Sequence, residues 1–116
     1  MTIQRINPSA RWSDITVFNG VAYFVDVADD ASADMTGQMQ QLLAQAEQTL
    51  AKVGSDKSQL ISVTIYITDF ANVGALNDVW SAWLPADSAP SRACLKVELA
   101  NPAYLVEIAF VAAVAD

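Results

Sequence analysis

The sequence predicts an α+β fold in the order β-β-β-α-β-α-β-β, with two helices covering one face of a single sheet. Three observations carry that reading. Short runs rich in β-branched and aromatic residues cluster at both ends of the chain, and two segments between them repeat apolar residues at helical spacing. Asn19-Gly20 stands between two of the runs as a two-residue hairpin signal.

Thr2 to Ile6 reads as a short first strand, ended by Asn7-Pro8. Asp14 to Phe18 is the second strand, and Val21 to Val27 returns from the Asn19-Gly20 turn as the third. Ala28 to Ser32 is a polar loop. From Asp34 the residues Met39, Leu42, Leu43, Ala46, Leu50 and Val53 form a one-sided apolar stripe, which predicts a helix. Gly54 suits the left-handed residue just past its end, while Gln40, Gln41, Gln45 and Gln48 suit an exposed face.

Leu60 to Thr68 alternates as a strand, with Ile61, Val63, Ile65 and Ile67 expected on one face and Ser62, Thr64, Tyr66 and Thr68 on the other. Asp69 caps or precedes a second helix over about Val73 to Trp83, carrying Leu76, Val79, Trp80 and Trp83 and stopped by Pro85. Arg92 to Leu99 and Leu105 to Val114 are the last strands, separated by Asn101-Pro102. The final strand is apolar on both faces, so the sheet needs cover on its second face as well.

Composition narrows the partners. The 116 residues suit one domain; 53% are hydrophobic and only 16% charged, so part of the apolar excess is expected between subunits of a homo-oligomer. A net charge of −7 argues against nucleic acid and anionic membrane. The six cations (Arg5, Arg11, Lys52, Lys57, Arg92 and Lys96) form no basic run. Asn101 to Ala115 is interrupted by Pro102 and Glu107, so no segment reaches membrane-spanning length. The opening residues lack the apolar region of a signal peptide, and one cysteine makes no disulfide framework. A cytoplasmic protein is expected.

Several chemistries fall away. Without histidine, a Ser-His-Asp triad, a Cys-His pair and a histidine metal site are impossible within one chain. There is no CxxC and no glycine-rich phosphate loop. Asp29-Asp30 reads as a solvated acidic loop rather than a metal site, and no metal or cofactor is expected.

A few groups remain. Arg92 opens an apolar-rich strand after Ala89-Pro90-Ser91, which places a planar fork of donors at a sheet edge or cleft and makes it a carboxylate receptor or a solvated surface residue. Cys94 follows two residues later on the same strand face, as a pocket wall or a small core residue. Glu107 is the only acid in the last strand, a base or an edge-strand charge. Asn77 is a ligand-facing amide or an exposed helix residue. Trp12 and Trp80 either wall a pocket or pack in an interface.

The assembled pattern resembles the RidA (YjgF) family of reactive-intermediate deaminases over essentially the whole chain. The matching segments are the Asn19-Gly20 hairpin, Val53-Gly54, Ser62-Val63-Thr64-Ile65-Tyr66-Ile67-Thr68-Asp69 and Leu76-Asn77-Asp78-Val79-Trp80. Ala89-Pro90-Ser91-Arg92-Ala93-Cys94 and Val106-Glu107-Ile108 are the most specific. Ala10-Arg11-Trp12-Ser13-Asp14 is similar to the YoaB-like branch.

That resemblance implies a single RidA-like domain over residues 1–116, with a chorismate-mutase-like fold, a mixed sheet and a homotrimer whose sites lie between subunits. It implies hydrolysis of small reactive 2-imino or 2-enamino acids to 2-keto acids and ammonia. Arg92 would then hold the substrate carboxylate and Glu107 would handle the attacking water. Cys94, Asn77 and Trp12 would line the same pocket, Trp12 standing where the family has a tyrosine. Val25-Asp26 stands where the family has Ser-Gly, and an Asp26 side chain there is expected to narrow the pocket and repel a carboxylate. The alternative is a non-catalytic member that binds a small carboxylate metabolite or a partner protein in the same cleft.

Overall fold

A computed structural model describes residues 2–114. The strands are β1 (Gln4–Ile6), β2 (Ile15–Phe18), β3 (Val21–Asp26), β4 (Leu60–Ile67), β5 (Ser91–Lys96) and β6 (Val106–Ala113), and the helices are α1 (Met35–Lys52) and α2 (Val73–Trp83). The expected element order holds, and the fold is α+β. Two 3₁₀ turns, Lys57–Gln59 and Phe70–Asn72, lead into β4 and α2. Each opens on an aspartate, Asp56 or Asp69, whose carboxylate accepts a backbone N–H two residues on. Asp69 therefore caps the 3₁₀ turn rather than α2 itself.

One mixed sheet runs β1-β2-β3-β6-β4-β5. The β4–β5 pair is parallel and every other pair antiparallel. Asn19 and Gly20 both take positive φ, 54° and 78°, as the tight hairpin between β2 and β3 requires. Central β6 buries Val106, Ile108, Phe110 and Ala112, while its odd-numbered residues are half-buried. The same alternation buries Ala22 and Phe24 on β3 and Val63, Ile65 and Ile67 on β4. These side chains meet Met39, Leu42, Leu43, Ala46 and Leu50 of α1 and Leu76 and Trp80 of α2, so both helices cover one face. The other face is bare and carries exposed apolar groups, among them Tyr23, Val25 and Leu95.

The ends of α1 follow from its sequence. Asp34 accepts the Gly37 N–H at 2.9 Å. At the far end Gly54 takes φ 71°, Ser55 N–H donates to Leu50 O and Gly54 N–H to Ala51 O, which closes the helix in a Schellman motif.

Three local expectations need correction. Ile61 does not face the core: it is 47% exposed, because a bulge between Leu60 and Ser62 sets Leu60 into the core and flips Ile61 outward. Gln41 and Gln45 are half-buried rather than solvated, since their amides hold the 27–30 loop. Gln45 donates to Val27 O (2.7 Å) and accepts from Asp29 N–H (3.1 Å), and Gln41 accepts from Asp30 N–H (2.8 Å). The strand β5 stops at Lys96 instead of Leu99, as the chain leaves the ladder once Val97 N–H has bonded Ile67 O.

Fully buried Gln38 did not stand out in the sequence. Its Nε2 lies within hydrogen-bond reach of Ala31 O, Ala33 O and Ala103 O, and its Oε1 accepts from Leu105 N–H (2.9 Å). One side chain thus fastens the loops before α1 and before β6. No helix among the described residues is long and apolar enough to cross a membrane.

Candidate functional site

Arg92 sits second on β5, an edge strand, in register with Val63 of β4. Val63 faces the helix layer, so Arg92 faces it too, and its guanidinium donates to Oδ1 of Asn77 on α2 at 2.7 Å. Cys94 follows in register with buried Ile65 and packs half-buried against the core on that same side. Arg92, Asn77 and Cys94 thus gather where the exposed edge strand meets α2. Among the described residues, Lys57 with Glu47 (3.4 Å) is the one ion pair, so no carboxylate neutralises Arg92. An exposed guanidinium oriented by a neutral amide keeps donors available for an incoming carboxylate.

Glu107 lies elsewhere. It is second on β6, in register with Tyr66, on the bare face. Strand β4 stands between β5 and β6. Two interstrand spacings and the three-residue step from Val63 to Tyr66 put the Arg92 and Glu107 Cα atoms roughly 14 Å apart, with side chains on opposite faces. One chain does not bring the two residues together.

Glu107 borders a concavity of about 860 Å³ whose walls include Trp12, Asp14, Tyr23, Val25 and Asp26. Trp12 is 68% exposed and does not stand on a strand. It ends a closed turn in which Ser9 N–H donates to Trp12 O (2.7 Å) and Ser9 Oγ accepts from Trp12 N–H (3.1 Å). Trp12 and Glu107 therefore share one concavity, while Arg92, Asn77 and Cys94 belong to another part of the surface. Trp80 is buried, its ring tilted against that of Trp83 with centroids 5.5 Å apart, so it packs the core.

The direction of the Asp26 side chain is set by strand pairing. It pairs with Ile108 and so springs from the helix-covered face, opposite to Glu107. Its Oδ2 is enclosed with no hydrogen-bond partner. Burial raises its pKa to about 6, with Asp29 and Asp14 adding to the rise and Lys52 opposing it. It borders the concavity without facing Glu107 across it. Among the described residues, no three acidic or cysteine side chains are grouped so as to hold a metal ion.

Residues 2–114 match the family described as Endoribonuclease L-PSP. The chain is 42% identical to the RutC family protein YoaB of Escherichia coli, over 98% of this chain and all of that one. It belongs to this family, the RidA (YjgF) family. A RutC family protein of Haemophilus ducreyi is 38% identical over 97% of each chain. Among solved structures, a YjgF family member from Neisseria meningitidis superposes with a TM-score of 0.94 at 32% identity, covering 100% of this chain and 98% of that one. A Pseudomonas aeruginosa protein reaches 0.95 at 36% identity, covering 98% and 100%. The YoaB likeness agrees with the opening Ala10-Arg11-Trp12-Ser13-Asp14, and the mixed sheet with two helices on one face is the fold of the YjgF structures.

Proposed function

We propose that this RidA family chain is an enamine/imine deaminase that hydrolyses small reactive 2-imino and 2-enamino acids to 2-keto acids and ammonia. The observation that carries the reading is Arg92, unneutralised at an exposed edge and oriented by Asn77. A 2-imino acid offers such a group its carboxylate. The site forms between neighbouring copies of a homotrimer, where Arg92, Asn77 and Cys94 of one meet Glu107 and Trp12 of the next. Two features support that assembly: the separation of Arg92 from Glu107 within a chain, and the bare apolar sheet face that a second copy would cover. Residues 1–116 act as one domain in the cytoplasm and need no cofactor.

The chemistry asks little of the protein. An enamine takes a proton on its terminal carbon to become the imine. Water then adds to the C=N carbon while Glu107 accepts a water proton and returns it to the nitrogen. The resulting carbinolamine passes its hydroxyl proton to the amino group, which leaves as ammonia as the C=O bond forms. The imine is already electrophilic, so holding carboxylate and water in line supplies much of the rate. That suits a chain without histidine. Cleavage of RNA, which the family's description names, is poorly matched to a net charge of −7 and scattered cations.

In the non-catalytic alternative, the same cleft holds a small carboxylate metabolite or a partner protein, and unneutralised Arg92 favours the metabolite. Imines generated in situ by an amino-acid oxidase, in competition with a semicarbazide trap, separate the two. The deaminase lowers trapping, and Arg92→Ala and Glu107→Ala do not. Equal trapping with all three proteins removes the enzyme reading for those imines, and 2-keto acid binding lost in Arg92→Ala then favours the alternative.

A further inference from the structure

We infer that Trp12 sets side-chain preference at this site, so that the ligand class is 2-imino acids with a large apolar, above all aromatic, side chain. The inference rests on the proposed carboxylate site and goes beyond it. The turn that carries Trp12 is fixed at both backbone ends by Ser9, yet the indole is 68% exposed at the wall of the concavity. Tyr23 and Val25, 46% and 56% exposed, line the same concavity with Val111. On the bare face Val25 pairs with Ala109, two residues from Glu107, and Tyr23 pairs with Val111 further along β6. An aromatic wall beside exposed aliphatic groups binds an apolar side chain by stacking and burial.

Charge fixes the orientation. The concavity's own ionisable groups include Asp14, Asp26 and Glu107, with Lys52 as a cation. A carboxylate is better held by the incoming Arg92 of a neighbouring copy, which leaves this chain's concavity to the other end of the ligand. Asp14 already accepts from Asn7 Nδ2 (3.2 Å), and Asp26 springs from the face opposite to Glu107. The open hollow of about 860 Å³ has more room than a three-carbon acid needs.

The test is calorimetric titration of the assembled protein with pyruvate, phenylpyruvate and 5-guanidino-2-oxopentanoate, the stable keto acids standing for the imines. Wild type should bind phenylpyruvate at least about tenfold tighter than pyruvate, the scale of burying part of one aromatic ring. Trp12→Ala should bring that ratio to within about twofold, and Trp12→Phe should keep most of it. A ratio near one in wild type, or one that survives Trp12→Ala, overturns the inference, as does tightest binding of the guanidino acid. Dissociation of the oligomer in both Trp12 variants also overturns it, by making the indole an interface residue. Pyruvate binding that is lost in Arg92→Ala shows that the carboxylate site stands even where the Trp12 inference falls. No binding of any acid removes both.

Discussion

Asn77 accepts a hydrogen bond from the Arg92 guanidinium at 2.7 Å, so one turn of α2 aims the cation at the sheet edge. Asn77 brings no charge of its own, and it orients the guanidinium without neutralising it. Asn77→Ala should therefore weaken 2-keto acid binding about three- to tenfold, the scale of one partly exposed hydrogen bond to a charged group. The unfolding midpoint should stay within about two degrees of wild type, because Arg92 is exposed and Asn77 only half-buried. Calorimetric titration and thermal unfolding of the same samples check both halves.

Asp26 provides a pH signature. Its carboxyl is held at a pKa of about 6 in the folded chain against 3.8 when exposed in the unfolded chain, so the folded state binds the proton more tightly. That contribution to stability is complete below about pH 3.8 and is lost as pH rises through 6. Above pH 6 the ionised, partnerless carboxylate destabilises the fold by about 1 kcal/mol once its partial solvent access is discounted. Asp26→Asn should raise the unfolding midpoint at pH 7.5 by roughly 3–6 °C, and the gap should narrow toward pH 4.5. Thermal unfolding across that range reads the difference.

Gln38 should be the most sensitive polar position of the fold. Gln38→Ala leaves Leu105 N–H and the carbonyls of Ala31, Ala33 and Ala103 without this partner in a buried setting. A loss of about 3 kcal/mol is expected, measurable as a lower urea midpoint with little change in slope.

The bare sheet face should be an interface between copies. Leu95 is 44% exposed there, in register with Tyr66 of β4 and outside the concavity. Leu95→Glu should lower the sedimenting mass at micromolar concentration toward that of one 12.4 kDa chain, without unfolding it. An unchanged mass places the interface elsewhere.

Much of the fold was legible because periodicity reports burial directly. The stripe of α1, the Asn19-Gly20 turn, the Gly54 stop and the alternation of β6 each reflect a single local cause. What escaped were features set by tertiary neighbours. The bulge at Ile61 depends on how β4 registers against β6, and the loop-fastening glutamines depend on where the 27–34 loop lies. At the site, the alternation of β5 put Arg92 and Cys94 on one strand face, while the hydrogen bond from Arg92 to Asn77 depends on how α2 packs beside β5 and was not legible in the sequence. The opposite facing of Glu107 needed the strand order, which no local pattern carries, because β5 pairs with β4 rather than with its chain neighbour β6. The direction of Asp26 needed the pairing too: its face is fixed by its register with Ile108.

Subunit mixing tests the central claim most directly. Arg92→Ala and Glu107→Ala chains should each be inactive alone in the imine competition assay. Dissociated together in equal amounts and reassembled, they should recover about one quarter of wild-type activity, since in a closed ring one site in four joins an intact Arg92 to an intact Glu107. No recovery from a mixture shown to have exchanged subunits would contradict a site shared between copies.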